Sequence, residues 1–546
     1  MNLPLPRWVL GVLAVVALMV GIDNLDRPLA NPDEGRYSEI SREMAASGDW
    51  VTPHLNGLKY FEKPPLQYWA TAAAFKLFGE NETSARLYVG LCGLATILLI
   101  GFAGMRLMNP EAGLAAMLVL VSSPYFLALG GIVTLDMGLT LWTTATVCAL
   151  LLAENAAEPR ARRRWMLAAW AAMALAVLSK GLVGIVFPVA AIFFYCVMRR
   201  DLAILRRLEW VRGALVFLAL AAPWFVLVSL ANPEFARFFF IHEHFQRFLT
   251  QSHRRVEPAW YFVPVLAVGF LPWVFALPSA IAQAWRSEAG ARGPQPLRLL
   301  LAYSAFVVVF FSASGSKLPA YILPAFPPLA LAIGRYLAQA PPRRLALWAA
   351  LTIPIGIALA AVAWHLPDTT RDEWTRRAYE DAWGIAFAGA LLLVVSSAGA
   401  TVLLRAGLRW AAIAVVALAN VLMIDCIEDV YEHLSPRQSG FIVAEKMRPL
   451  LKPTTRLYSV SHYEQTVPFY IARTMTLVDY EDEFQLGISI EPERAIETRA
   501  EFPEQWLRPG DALAIMHPKA YEELKALGLP MQVVHEDPRR ILVRKP

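Results

Sequence analysis

The chain has 546 residues, a mean hydropathy of +0.44, 57% apolar residues and only 17% charged ones. Soluble domains carry about 25% charged residues. This chain is therefore not one ordinary globular core, and its repeated apolar runs of about 20 residues mark a polytopic α-helical membrane protein. The net charge of +5 comes with arginines in short clusters between apolar runs, which argues against a nucleic-acid surface.

In chain order, the first apolar run covers 8–22. No small-residue cleavage pattern follows it, so it reads as a retained helix. A long polar loop, 23–83, comes next. About twelve more spans are expected, making about 13 in all, at 84–108, 111–130, 135–153, 165–179, 181–198, 212–231, 259–285, 298–313, 319–338, 344–365, 382–404 and 408–427. The pair flanking Lys180 reads equally as one long helix or two short ones. With every span counted, the clusters Arg160 to Arg164, Arg199 to Arg207, Arg343 with Arg344, and Arg405 with Arg409 fall on the side of the N-terminus. The positive-inside rule then puts that side in the cytoplasm. The loop 23–83, the segments 232–258, 313–318 and 366–381, the turns at Thr134 and Lys180, and the tail face outside. Arg254, Arg255, Arg376 and Arg377 depart from the rule.

Two divisions are expected: a transmembrane catalytic domain at 1–427 and an external α/β domain at 428–546. From Arg456 the pattern changes to short apolar runs between charges: RLYSVSH, TMTLVDY, ALAIMHP, MQVVHED and ILVRK. A helical stretch, PKAYEELKALG, closes at Gly528. The loop 23–83 has helical grammar of its own. In NPDEGRY, Asn31 is the expected N-cap and Glu34 the partner of a capping box, with the helix running to Ser47. A second helix begins at Pro64 or Pro65 in FEKPPLQYW and stops at Gly79. Both read as amphipathic helices on the membrane surface.

Acids in a first helical turn are explained by the helix dipole alone, so Asp33 and Glu34 taken singly mean little. Glu62 and Lys63 are equally ordinary as loop charges. The outer side gathers more than that. Asp136 sits at the mouth of the apolar run in GGIVTLDMGLTLW, where a carboxylate is costly without a partner or a task. Lys180 stands between two apolar runs in LSKGLVG. IHEHFQRF brings His242, Glu243, His244 and Arg247 together, and SGSKLPAYILP carries Lys317 and Tyr321. Lysine and arginine at a lipid–water boundary suit a phosphate, and the helix beginning near Pro64 adds backbone N–H groups beside Lys63. Carboxylates suit hydroxyl activation or a cationic sugar-like transition state. Glu62 with His242 or His244 could hold a divalent metal, although this is not the helical HExxH spacing. Cys92, Cys148, Cys196 and Cys426 lie in or beside apolar stretches with no CxxC pair and read as structural thiols.

The ordered set NPDEGRY, FEKPPLQYW, the Asp136 turn, LSKGL, EHFQRF and SKLPAYILP resembles the dolichyl-phosphate-mannose-protein mannosyltransferase-like superfamily. Within it, the set looks most like the bacterial 4-amino-4-deoxy-L-arabinose transferases of lipid A. The resemblance covers roughly 1–430. It implies a membrane glycosyltransferase-C fold that takes a sugar from undecaprenyl phosphate and delivers it, with inversion, to lipid A or another envelope acceptor. It also implies membrane lipid as a partner and no nucleotide cofactor. By the same resemblance Asp33 is the first catalytic acid, with Asp136 and Glu34 beside it. Lys63, Arg247 and Tyr321, with Arg36 and Tyr60, hold the donor phosphate. Lys180 and Lys317 are basic residues of the same cavity. Glu62 with His242 or His244 is a metal pair for zinc, magnesium or manganese, His244 being the more family-like. Two alternatives remain: the same fold acting on a protein Ser/Thr or another glycan, and a transporter of lipid-linked sugars. The transporter reading would place polar groups near the midplane and show internal repeats, and neither feature is visible in the sequence.

Overall fold

The computed structural model describes residues 4–23, 25–246, 257–288 and 294–546. The chain divides into two compact units, one of Met1–Leu25 with Arg86–His433, the other of Asp26–Ala85 with Leu434–Pro546. A division at 427 and 428 does not capture this, because the first polar loop folds with the tail.

The first unit is helical. Among the described residues, eight helices are long and apolar enough to cross a membrane: Glu82–Leu107, Leu135–Asn155, Trp210–Ala231, Pro296–Ala313, Pro319–Gln339, Pro342–Trp364, Glu373–Arg405 and Arg409–Leu434. Two further pairs make ten if each counts as one span. The expected count of 13 also included Arg7–Asp23 and Val183–Arg199, each 17 residues, and Pro159–Lys180, which opens on an arginine cluster. These three fall outside the same measure of length and composition. At Lys180 the chain forms two helices, broken at Gly181 with φ of 80°.

Two of the expected spans, 111–130 and 259–285, are bent. Pro110–Val121 and Pro124–Gly130 meet at 67°, and Phe262–Gly269 and Trp273–Ser287 at 111°. At the first break, Ser122 and Ser123 turn their hydroxyls back onto the carbonyls of Leu118 and Val119, and Pro124 has no N–H to continue the ladder. The carbonyls freed at both breaks need donors in an apolar surround. The buried Asn420 amide supplies them, donating to Ser122 at 2.6 Å and to Leu271 at 2.7 Å. Trp273 donates its indole N–H to the Ser122 hydroxyl at 3.0 Å. Small residues let neighbouring helices touch by backbone. A Cβ on Gly334 would lie 2.4 Å from the Ala116 amide nitrogen, and one on Gly104 would lie 2.7 Å from the Gly113 Cα.

The second unit holds a six-stranded sheet. In chain order the unit's strands are β1 (His54–Leu55), β2 (Leu58–Lys59), β3 (Arg456–Val460), β4 (Thr476–Val478), β5 (Ala495–Ile496), β6 (Ala512–Met516), β7 (Gln532–Glu536) and β8 (Ile541–Arg544). The order across the large sheet is β5-β4-β3-β6-β8-β7. β3 runs parallel to β4 and β6, whereas β8 runs antiparallel to β6 and β7. All five expected strand segments are present, β5 is additional, and the expected helix is Pro518–Ala526. Tyr458, Val460, Phe502, Trp506 and Met516 build its core.

The polar loop docks onto this sheet domain. Helix Asp33–Ser47 ends at Gly48 with φ of 74°, and helix Leu66–Phe78 ends at Gly79, both as the sequence indicates. Between them Asn56 and Gly57, both with positive φ, turn the β1–β2 hairpin. Asn56 then pairs through its amide with both the N–H and the C=O of Met475 at 2.7 Å. Helix Asp33–Ser47 is buried on most of its faces, so it is not an amphipathic helix with one solvated side. Asn31 does not cap it: Pro32 holds that position, and the Asn31 amide donates instead to the Gln438 carbonyl and to Glu464.

Candidate active site

The site residues fall into two groups, one in each unit. In the mixed unit, Asp33 opens helix Asp33–Ser47 and keeps 37% side-chain exposure. Its carboxylate lies 3.4 Å from the Arg36 guanidinium one turn on. Gly35 explains how this turn reaches the sheet domain. A Cβ there would lie 2.6 Å from the Gln465 carbonyl carbon and 2.7 Å from Thr466, so only glycine permits the approach. Arg36 thereby comes within 3.5 Å of Glu483, which follows the carboxyl end of β4. The Gln465 amide and the Tyr480 hydroxyl also donate to Glu483.

Tyrosines line the same cluster. Tyr37, Tyr60 and Tyr68 are buried, and they lie within electrostatic reach of Arg36 and Glu62. Burial, then the charge of Glu62, pushes the Tyr60 and Tyr68 hydroxyls well above their ordinary range. Burial, then Asp33, does the same to Tyr37. All three are neutral hydrogen-bond donors at physiological pH. Burial also drives the Glu483 carboxyl up to about 7, with Arg36 opposing. Buried Arg36 Nε and the Tyr60 and Tyr68 hydroxyls have no hydrogen-bond partner among the described residues. Native interiors rarely leave such atoms unpaired. Two such hydroxyls beside a guanidinium with a spare Nε describe a place prepared for a polar ligand.

Lys63 and Glu62 precede helix Leu66–Phe78. The Lys63 ammonium donates to the Glu62 carbonyl at 3.0 Å and lies 3.7 Å from its carboxylate. Glu34 is placed otherwise than a catalytic group. It is buried, paired with Arg27 at 3.2 Å, and accepts the Ala30 N–H at 2.9 Å. It holds the helix start from behind, facing away from solvent, as its place in a first turn suggested.

In the helical unit, Asp136 and Lys180 meet at 2.5 Å. Asp136 lies in the first turn of helix Leu135–Asn155, and Lys180 closes helix Pro159–Lys180. Lys180 also sits over the Tyr321 ring, 4.8 Å from its centroid. The sequence placed these three on one side separately, and here they touch. Lys317 is buried and donates to the Ser314 carbonyl at 2.7 Å, closing its own turn after helix Pro296–Ala313. His242 is exposed, with its ring 5.0 Å from that of Phe238. Arg247 and the His244 side chain lie outside the described residues. Among the described residues no group of three or more His, Cys, Asp or Glu side chains is placed to share a metal. They therefore give no metal site to reason from.

Glu483, Gln465, Tyr37 and Tyr68 escaped the sequence reading. The signal for the first lay in YEDEF, an acidic run directly after a strand that proves parallel, where sheet proteins of this kind place ligand groups.

The dolichyl-phosphate-mannose-protein mannosyltransferase family matches residues 8–242, and the aminoarabinose transferase C-terminal domain family matches residues 443–545. An undecaprenyl phosphate-alpha-4-amino-4-deoxy-L-arabinose arabinosyl transferase of Edwardsiella ictaluri is 34% identical over 333 residues, 60% of this chain and 59% of that protein. The matched stretch thus spans under two thirds of that relative. Likeness of structure runs further. The crystal structure of ArnT from Cupriavidus metallidurans bound to undecaprenyl phosphate matches at TM-score 0.92 and 35% identity over 98% of both chains. Its apo state matches at 0.91 with the same identity and coverage. A helical membrane unit and a sheet-bearing tail, matched in one relative almost end to end, fix the assignment: this chain belongs to the ArnT branch of the dolichyl-phosphate-mannose-protein mannosyltransferase superfamily.

Proposed function

We propose that this protein is an inverting glycosyltransferase that moves 4-amino-4-deoxy-L-arabinose from undecaprenyl phosphate to a phosphate of lipid A. It works in the bacterial inner membrane with its N-terminus cytoplasmic and its mixed unit in the periplasm. The observation that carries the reading is the cluster around Arg36, where Arg36 Nε and the Tyr60 and Tyr68 hydroxyls lack a hydrogen-bond partner among the described residues. Guanidinium and neutral tyrosine hydroxyls donate to phosphate or sugar oxygens. Asp33, Glu62 and Glu483 are carboxylates suited to a sugar that carries an ammonium group. The near full-length likeness to a protein that binds undecaprenyl phosphate supports the choice of donor.

In this mechanism the donor phosphate is the leaving group. Lys63, in the mixed unit, counters its growing charge, which lowers the barrier. An acceptor phosphate is already an anion and needs no strong base. Asp33 then orients the donor sugar, held in place by Arg36. Lys180 holds the Asp136 carboxylate in place through a charge-assisted hydrogen bond. A requirement for a divalent ion is a separate proposal. Its test is transfer after chelation and metal add-back, and unchanged activity without metal removes it.

The test of the reading uses purified protein, radiolabelled donor and lipid A. Label moving to lipid A supports it. Label moving only to a protein or another glycan would overturn the acceptor, and no turnover with bound donor would overturn the sugar.

A further inference from the structure

A second feature lies at the opposite, arginine-rich boundary of the helical unit. A cavity of about 290 Å³ opens there between the ends of four neighbouring helices. Met173, Trp170, Ile192, Phe193, Leu205 and Trp210 are among its walls. The walls are dry. The indole N–H groups of Trp170 and Trp210 are taken by the Leu208 and Leu205 carbonyls at 2.8 Å, and the Thr146 hydroxyl by the Trp142 carbonyl. A sugar would find nothing to bond. Phe193 and Trp210, at its rim, are 60% and 55% exposed.

The mouth is cationic. Segments 154–164 and 199–212 carry nine arginines against four acids. Arg163, Arg199 and Arg207 are engaged by Glu209, Asp201 and Glu154. Arg200 and Arg206 are exposed, with no acidic side chain within 4 Å among the described residues. Arg206 lies between the cavity-lining Leu205 and Leu208, and Arg200 lies between Val197 and Leu202. Apolar wall and spare guanidinium thus alternate along one short stretch.

We propose that this cavity is a binding site for an anionic diacyl phospholipid, one acyl chain lying in the apolar cavity and the phosphate held by Arg200 and Arg206. Basic residues at such a boundary are worth enough to select anionic over zwitterionic headgroups. The apolar wall alone would take either lipid, so headgroup preference is the property the arginines add.

The experiment is native mass spectrometry of the purified full chain, titrated with dioleoyl phosphatidylglycerol or dioleoyl phosphatidylethanolamine. The expected result is one saturable phosphatidylglycerol adduct, about tenfold tighter than phosphatidylethanolamine. Arg200→Gln with Arg206→Gln should erase the preference, and the lysine pair should keep it. Ala169→Phe, which fills the cavity, should weaken both lipids. Equal binding of the two lipids by the native chain would overturn the proposal, as would a preference that survives the glutamine pair. Displacement of the adduct by equimolar undecaprenyl phosphate would also overturn it, by giving the cavity to a polyprenyl lipid. If the glutamine pair fails to fold, Ala169→Phe decides: phosphatidylglycerol binding unchanged in that variant ends the proposal.

Discussion

Two carboxylate–cation pairs sit in this protein under different rules. Asp136 and Lys180 are 2.5 Å apart, with side chains 8% and 15% exposed. Asp33 and Arg36 are 3.4 Å apart; the aspartate is 37% exposed and Arg36 carries a second carboxylate and a spare Nε. The first pair is closed, its two charges compensating each other's burial. The second is open, with donors left over. A closed pair organises a fold, and an open one invites a ligand.

Lysine loss should break the closed pair hardest. Lys180→Met takes the ammonium group from a buried carboxylate and should destabilise the helical unit by about 3–5 kcal/mol. Most of that should return when Asp136→Leu is added, in thermal unfolding of the detergent-solubilised protein. Equal melting of Lys180→Met and the native chain would show that the pair is not closed. Asn420→Leu comes next. It leaves the Ser122 and Leu271 carbonyls without their donor, at a cost of about 1–3 kcal/mol, read by the same melt.

The open cluster should respond the other way. Tyr60→Phe removes a hydroxyl that has no partner in the described structure. Melting without donor should hold or rise, whereas donor affinity should fall about threefold to tenfold, the worth of one hydrogen bond. A melting point that drops with affinity unchanged would make Tyr60 a structural residue. The smallest effect concerns pH. Glu483 has a folded pKa near 7 against an ordinary 4.5. The folded state keeps a proton that the unfolded chain gives up, so this stabilisation is complete below the ordinary value and lost as pH rises through 7. Glu483→Gln should flatten the pH dependence of melting across that window. An unchanged slope would mean that Glu483 stays ionised beside Arg36.

The sequence was most informative where local chemistry decides structure. Gly48 and Gly79 ended their helices, and five strands followed from short apolar runs. The turn at Asn56 and Gly57 carried as clear a local signal and went unread. What it hid was long-range. Nothing in NPDEGRY shows that Gly35 exists to admit Gln465 and Thr466 from 430 positions on, or that Asn31 faces Gln438. Asn420, inside the expected span 408–427, gave no sign in sequence that it would supply donors to two bent spans. Of the candidate residues, Asp33, Asp136 and Lys180 stood out because charge is rare in this chain, Tyr321 through its neighbour Lys317, and Arg36 and Tyr60 only through the family resemblance. Tyr37 and Tyr68 did not, since a tyrosine in a buried helix reads as core until its neighbours are known.

The central claim is that Asp33 acts on bound donor while Glu34, beside it, only holds the helix start. One measurement separates them: transfer of label from undecaprenyl-phosphate aminoarabinose to lipid A by the native protein, Asp33→Asn and Glu34→Gln, with donor binding and melting recorded for each. The account predicts that Asp33→Asn melts normally, still binds donor and loses at least about 100-fold in rate, the scale of a positioned catalytic group. Glu34→Gln should melt lower and keep its rate per folded molecule. An active Asp33→Asn protein, or a folded Glu34→Gln protein without activity, would contradict it.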